Sequence, residues 1–134
     1  MRGEERPPWN LKGDVVWRDD ETLAWIDPRW WGDIPGNVIV IPNQHVENMF
    51  ELDETQAAAV HETARRVSLA MLAAYGCEGI STRQNNGPGA NQEVWHYHLH
   101  LHPRQQGDNL YRADVRMTRP DERAPYVDRL RTAL

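Results

Sequence analysis

Four of the six histidines in this chain fall at every second position of one short stretch, His96-Tyr-His-Leu-His-Leu-His102. Because successive side chains of a β-strand point to opposite faces, this spacing predicts a strand over 93–102 with all four imidazoles on one face. Tyr97, Leu99 and Leu101 then share the other face, which is expected to pack on a core. A helix would scatter the same residues around its circumference. The chain therefore requires a sheet with one apolar face and one reactive face.

The remaining strands predict an α+β fold of order β-β-β-α-β-β, with an antiparallel five-stranded sheet. Apolar and β-branched runs bounded by turn residues mark these strands. We expect them over 14–18, 22–27, 38–41 and 79–84. Residues 28–36 and 85–91, which are rich in Gly, Pro and Asn, are expected as loops. Pro103 is expected to end the histidine strand.

One long helix is expected to pack on this sheet, over 53–75. Asp53 is a good N-cap, Gln56 stands in the capping-box position, and Gly76 suits the residue after the last turn. Between them, apolar residues recur at helical spacing. A short C-terminal helix is expected over about 121–134.

The length of 134 residues predicts one domain. We expect residues 1–12 to form a loose N-terminal arm and 13–108 to form the main body. Residues 109–134 are expected to be a C-terminal extension that belongs to the same domain. The single cysteine, Cys77, excludes an internal disulfide framework and a cysteine-rich zinc site.

Charge and hydropathy limit the classes of molecule that the protein is expected to bind. A net charge of −5 argues against a broad nucleic-acid-binding surface, although a small phosphate site needs only a few local donors. No apolar run reaches the roughly 18 residues that a membrane span requires. The N-terminal segment lacks the apolar core of a secretory signal. We therefore expect a cytoplasmic protein with neither nucleic acid nor membrane as a partner.

Three functions fit a row of imidazoles. A neutral imidazole is a nucleophile, and its neighbours can donate hydrogen bonds or protons to a phosphate. Alternatively, His-x-His on a strand can hold zinc or another late metal, with His45 or Glu93 as a further ligand. A purely structural polar row is the third possibility. Nucleophilic chemistry at phosphorus is favoured, because four histidines on one face exceed what a structural role requires.

The stretch Gln92-Glu-Val-Trp-His-Tyr-His-Leu-His-Leu-His-Pro-Arg104 resembles the signature of the histidine triad (HIT) superfamily, His-φ-His-φ-His-φ-φ with φ apolar. Three upstream segments resemble further family motifs in the same order: Leu23-Ala-Trp-Ile-Asp27, Ile34-Pro-Gly-Asn-Val-Ile-Val-Ile-Pro-Asn-Gln-His45 and Asn85-Asn-Gly-Pro-Gly-Ala-Asn-Gln92. The resemblance covers about residues 13–108. The most similar branch is the bacterial Fhit-like, or diadenosine polyphosphate hydrolase, type.

The resemblance implies a HIT-like fold and a homodimer that acts on a nucleotide at its α-phosphate. It makes His98 the nucleophile, which forms a nucleotidyl-histidine intermediate. His100 is implied to contact phosphate oxygens, and His96 to belong to the supporting hydrogen-bond network. It implies no protein-bound metal and no cofactor, apart from a divalent cation that accompanies a polyphosphate substrate.

The resemblance also assigns substrate contacts. Asp27 matches the residue that binds the ribose hydroxyls, and Asn85 matches a polar residue that binds phosphate. Gln92 and Glu93 precede the triad, where donors meet phosphate, although a carboxylate at Glu93 would repel it. Trp30, with Trp31 beside it in a lengthened loop, is expected to stack on a purine.

Two positions depart from the family pattern. Asn37, which we expect to contact the substrate, stands where a further active-site histidine is usual, and an amide cannot carry a proton at neutral pH. His102 is a fourth histidine on the triad face, and we expect it to contact the substrate and to compensate for Asn37.

The predicted function is hydrolysis of a dinucleoside polyphosphate or a nucleotide phosphoramidate through His98. Three alternatives remain open from the sequence. The first is a HIT nucleotidyltransferase in a specialised pathway. The second is a nucleotide-binding HIT protein with weak or lost catalysis. The third is a metal enzyme that uses His96, His98 and His100 as ligands.

Overall fold

A computed structural model describes residues 11–134, so the expected N-terminal arm lies outside the described residues apart from Leu11 and Lys12, which begin a short helix. The helices are α1 (Leu11–Asp14), α2 (Glu54–Tyr75) and α3 (Pro120–Ala133). The strands are β1 (Val15–Arg18), β2 (Thr22–Ile26), β3 (Arg29–Trp31), β4 (Val38–Pro42), β5 (Gly79–Arg83), β6 (Leu99–Arg104) and β7 (Val115–Met117). Short 3₁₀ turns lie at Met49–Glu51, Pro88–Ala90 and Leu110–Arg112.

The centre of the fold is an antiparallel five-stranded sheet in the order β1-β2-β4-β6-β5, which confirms the predicted α+β architecture. One face of the sheet packs on α2. The core residues from the two elements are Ala24, Ile26, Val38, Val40 and Leu101 of the sheet and Val60, Ala64, Val67 and Met71 of the helix. Each large apolar side chain buried there contributes about 1.5–3 kcal/mol. The strand period places His100 and His102 on the opposite face of β6.

Helix α2 begins and ends where the sequence predicts. Asp53 Oδ1 accepts a hydrogen bond from Gln56 N at 2.7 Å, and Gln56 Oε1 accepts one from Asp53 N at 3.0 Å. Gly76 ends the helix with a left-handed φ of 68°, which glycine adopts without steric cost. The helix is thereby fixed by local chemistry at both ends.

The predicted histidine strand over 93–102 is wrong at both ends, because β6 covers Leu99–Arg104. Before β6, His96 Nε2 forms a hydrogen bond with the Pro42 carbonyl oxygen, and Tyr97 N donates to Val46 O in the loop after β4. These bonds replace a sheet ladder, so 93–98 leaves the sheet. At the other end Pro103 lies inside β6, past the β4 pairing, where a missing N–H is tolerated.

Residues 28–36 were expected to form a loop, but Arg29–Trp31 form β3, which pairs with β7 in a separate two-stranded ribbon. Alternation along β3 sends its two tryptophans to opposite sides. Trp30 is buried in the core, where its ring contacts Tyr126 edge-on at 5.2 Å. The prediction that Trp30 stacks on a purine is therefore not supported by its placement.

The C-terminal segment packs onto the rest of the fold, and α3 matches the expected helix. Arg123 of α3 forms a buried ion pair with Asp14 at 2.8 Å, and it also donates to Thr118. Thr118 in turn donates to Pro28 O through its backbone N and its hydroxyl. Within residues 11–134, no helix is both long and apolar enough to cross a membrane.

Candidate active site

The open face of the sheet borders a cleft of about 590 Å³. Six of the predicted site residues line it: Asp27, Asn85, Gln92, Glu93, His98 and His100. Arg29, Trp31, Arg83, Ala90, Asn91, Val94 and Val115 complete the lining. His96, Asn37, His102 and Trp30 are not among the lining residues. The structure therefore brings most of the predicted site together and separates four of its members from the cleft surface.

His98 has one ring nitrogen occupied by the backbone. Its Nδ1 lies 2.9 Å from the carbonyl oxygen of His96. A carbonyl oxygen only accepts, so Nδ1 must carry the proton, and Nε2 of the neutral ring keeps its lone pair. The backbone thus fixes the tautomer that a nucleophilic Nε2 requires.

His96 lies behind this arrangement. Its ring is buried, and Nε2 lies 2.9 Å from the Pro42 carbonyl, so Nε2 is the protonated nitrogen. The His45 ring contacts it edge-on, with centroids 5.1 Å apart. Burial lowers the pKa of His96 below its ordinary value. His96 therefore stays neutral and holds the backbone that supports His98.

His100 lies beside His98 and next to Asp27. The His98 and His100 rings are 5.0 Å apart at 78°, and His100 Nδ1 is 3.9 Å from Asp27 Oδ2. Burial, reinforced by its histidine and arginine neighbours, lowers the pKa of His100 far below its ordinary value. His100 is therefore neutral, and it can donate one N–H to a ligand.

Asp27 is a buried carboxyl group at the edge of the cleft. Burial raises its pKa, while Arg29 opposes this shift through the backbone N–H at 3.0 Å and the guanidinium at 3.5 Å. Asn37 Nδ2 lies 3.5 Å from Asp27 Oδ2, and Asn37 is itself buried. Asn37 thus contacts Asp27 and not the cleft, in contrast to the predicted substrate contact.

His102 also differs from the prediction, because it is fully buried behind His100. The two rings stack with centroids 5.7 Å apart, and Trp31 contacts His102 edge-on at 6.0 Å. Neither ring nitrogen has a hydrogen-bond partner within the described chain. Burial lowers the pKa of His102 to about 4. A neutral, enclosed imidazole is unsuited to take over the proton transfer of the histidine that Asn37 replaces in the family pattern.

Comparisons with known proteins identify the family. A family model described as HIT domain matches residues 10–107, which is most of the chain. The chain belongs to the HIT family. His96, His98 and His100, which resemble the family signature, lie within the matched residues.

Two curated relatives and one solved structure illustrate the similarity. Protein hit of Bacillus subtilis is 32% identical over 98 residues, which cover 70% of this chain and 66% of that protein. Adenylylsulfatase HINT3 of Arabidopsis thaliana is 29% identical over 99 residues, covering 74% of this chain and 49% of that protein. The chain thus spans less than two thirds of either relative. A Hit-like protein involved in cell-cycle regulation from Bartonella henselae superposes with a TM-score of 0.78 at 26% identity, covering 90% of this chain and 86% of that one.

In this HIT domain, Gln92 holds the segment that carries the triad. Its side-chain amide donates to Glu47 O and to Val94 O at 3.1 Å, and its Oε1 accepts from Gly87 N at 2.7 Å and from Asn48 Nδ2 at 3.4 Å. These bonds join three loops, so the side chain is fully engaged. Asn85 and Glu93 lie exposed at the rim.

Seven lining residues lie outside the predicted site residues. Trp31 was expected to stack on a purine together with Trp30, whereas Arg29, Arg83 and Val115 were assigned no role. The position of Arg83 follows from the period of the strand, because Ser81 and Arg83 lie on the same face of β5 and pair with His102 and His100. The position of Val115 follows from no such pattern, because β7 is short and pairs with a strand far away in the sequence.

The metal alternative finds no support in the geometry. Across residues 11–134, no three histidine, cysteine or acidic side chains converge in a way that could hold a metal ion. Two of the triad rings instead direct a nitrogen to a backbone carbonyl.

Proposed function

We propose that this HIT protein is a nucleotide hydrolase that acts at the α-phosphate through a nucleotidyl-histidine intermediate on His98. The observation that carries the proposal is the hydrogen bond from His98 Nδ1 to the His96 carbonyl, in a cleft that also holds His100. It leaves Nε2 with the lone pair that attack on phosphorus requires. A relative that is an adenylylsulfatase supports a nucleotide substrate.

The proposed reaction has two displacements. His98 Nε2 attacks the α-phosphorus, the bond from phosphorus to the leaving group breaks, and the leaving group departs with that electron pair. The ring becomes cationic, and the carbonyl that accepts from Nδ1–H stabilises this charge. Water then attacks phosphorus and releases a proton to the solvent, the phosphorus–nitrogen bond breaks with its electron pair returning to Nε2, and a nucleoside monophosphate leaves with neutral His98 restored.

Other cleft residues are proposed to bind the substrate. His100 and Asn85 would donate to phosphate oxygens, and bound phosphate would raise the low pKa of His100. Asp27 would bind the ribose hydroxyls. Gln92 would act indirectly, by positioning the segment before His98.

Within this class, the proposed branch is the dinucleoside polyphosphate hydrolase type. The main competitor is a HIT protein that binds nucleotides but turns them over weakly. Asn37 favours that competitor, because its amide is buried against Asp27 and supplies no proton to a leaving group. A nucleotidyltransferase would use the same first displacement and differ only in the final acceptor.

Intact-protein mass spectrometry after brief mixing with substrate tests the proposal. The panel contains diadenosine tetraphosphate and adenosine 5′-phosphoramidate, and the proteins are wild type, His98→Ala and a matched control, His61→Ala, on the exposed face of α2. We expect an added adenylyl mass, or release of AMP, in wild type and His61→Ala only. Nucleotide binding without adduct or AMP would instead support the binding protein.

We further propose that the active form is a homodimer. Phe50 is 76% exposed, and the neighbouring Met49 is 54% exposed. Adjacent large apolar side chains on the surface favour an interface with another molecule. Light scattering coupled to size exclusion should give twice the 15.5 kDa chain mass. A monomer at micromolar concentration would contradict this part of the proposal.

A further inference from the structure

Arg83 is a cation on the histidine face that the proposed reaction has not used. It ends β5 and pairs directly with His100 across the sheet. Directly paired residues have Cβ atoms about 4.5–5.5 Å apart, so the Arg83 side chain starts beside the triad. It is half-buried and lines the cleft together with His98 and His100.

Two aromatic rings hold this guanidinium. Its Cζ lies 4.8 Å from the centroid of the Trp31 ring and 5.9 Å from that of Tyr111. Stacking on aromatic faces restrains an arginine while leaving the N–H groups at its edge able to bind an anion. The side chain is therefore held in place before any ligand arrives.

The two arginines of the cleft differ in their counter-charges. Arg29 lies 3.5 Å from the carboxylate of Asp27. No carboxylate among residues 11–134 comes within 4.0 Å of the Arg83 guanidinium. The exposed Glu93 also lines the cleft and would repel a phosphate, so Arg83 marks the more favourable side for one.

We infer that Arg83, held between Trp31 and Tyr111, forms a second anion subsite that binds the phosphate chain of the leaving group. This inference rests on the proposed function, because it requires that His98 attacks the α-phosphorus. It makes Arg83 a specificity-determining residue for substrates whose leaving group is itself a phosphate.

The chemistry of the leaving group points the same way. A phosphate chain departs as a stable anion, whereas an amine must be protonated as its bond to phosphorus breaks. Asn37 offers no proton, and His102 is enclosed and neutral. Neither of these two positions supplies an acid, and a guanidinium without a nearby carboxylate is better suited to an anionic leaving group than to an amine.

Calorimetric titration with AMP and with ATP tests the subsite without turnover. All proteins carry His98→Ala, and the buffer contains no divalent cation. We expect ATP to bind about tenfold more tightly than AMP when Arg83 is present, which is the effect of one charge-assisted contact. Arg83→Met should reduce that ratio to about two, and Arg83→Lys should retain most of it.

Arg129→Met is the matched control, because Arg129 also stacks on an aromatic ring, Tyr126 at 4.9 Å, but lies outside the cleft. It should leave the ratio unchanged. An unchanged ratio in Arg83→Met, or an equal loss for AMP and ATP, would overturn the subsite while leaving the proposed function intact. If neither nucleotide binds with Arg83 present, both proposals fail.

Discussion

The two halves of the histidine row have the same spacing and opposite surroundings. His96 and His98 precede β6, and each donates a ring N–H to a backbone carbonyl at 2.9 Å. His100 and His102 lie within β6 and stack on each other at an interplanar angle of 16°. In the described chain, His100 Nδ1 and both nitrogens of His102 have no hydrogen-bond partner.

The difference shows what leaving a sheet makes possible. Inside a regular strand, the backbone groups bond to neighbouring strands, so the side chains must find partners elsewhere. Where the chain departs from the sheet, carbonyls become available to imidazoles and can fix their tautomers. The first half therefore has imidazoles whose tautomers are fixed by backbone carbonyls, and the second half has neutral rings in a low-dielectric environment.

The largest effect is expected from removing the imidazole of His98, the proposed nucleophile of the first half. His98→Ala should lower kcat/KM for diadenosine tetraphosphate by about 10⁴-fold or more, because the covalent route is lost. Steady-state AMP release measures the effect, with His61→Ala expected within about twofold of wild type. A loss below about tenfold would mean that His98 is not the group that attacks phosphorus.

The second prediction concerns how the first half is held without a sheet ladder. Gln92→Leu leaves the partners of its four hydrogen bonds unpaired and should lower the free energy of unfolding by about 3 kcal/mol. Urea denaturation measures the change. The exposed Gln105, with one long bond of 3.4 Å to Gly76 O, is the control, and Gln105→Leu should cost less than about 0.5 kcal/mol. Equal costs would show that the segment is held by other contacts.

The third prediction tests the buried second half through pH. The pKa of His102 is about 4 in the folded protein and about 6.5 in an unfolded chain. Between these values the unfolded chain binds a proton that the folded protein does not, so stability falls as pH drops. Its neighbours in this environment are His100, Arg83 and Arg104.

His102→Leu removes this linkage. Relative to wild type, the variant should gain about 2 kcal/mol of unfolding free energy between pH 7 and pH 5, where His102 resists protonation. Urea denaturation at the two pH values gives the difference. A difference between the proteins that does not change with pH would contradict a neutral His102.

The parts of the fold that depend on local chemistry could be predicted from the sequence. Asp53, Gln56 and Gly76 define α2 without reference to distant residues. The alternation of Tyr97, Leu99 and Leu101 correctly assigns them to the core side, although part of this stretch is not a strand. The site residues that follow this alternation, His98 and His100, therefore reach the cleft as expected.

The rest depended on contacts that no local pattern records. The start of β6 depends on the hydrogen bond between the His96 ring and the Pro42 carbonyl. Trp30 is buried and Trp31 faces the cleft because β3 pairs with β7. No pattern in the sequence between the two strands indicates this pairing. The enclosure of His102 likewise requires Trp31 to lie over it.

The ribbon of β3 and β7 also has a kinetic consequence. Each of its strands has only three residues, and the adjoining bond from Thr118 to Pro28 joins positions 90 apart. Such a pairing bears a large loop-closure entropy and gains few bonds in return. During folding, this wall of the cleft should form after the central sheet, and its amides should exchange with solvent sooner than those of β4. His98, the proposed nucleophile, would thus be in place before the ribbon that lines one side of the cleft has formed.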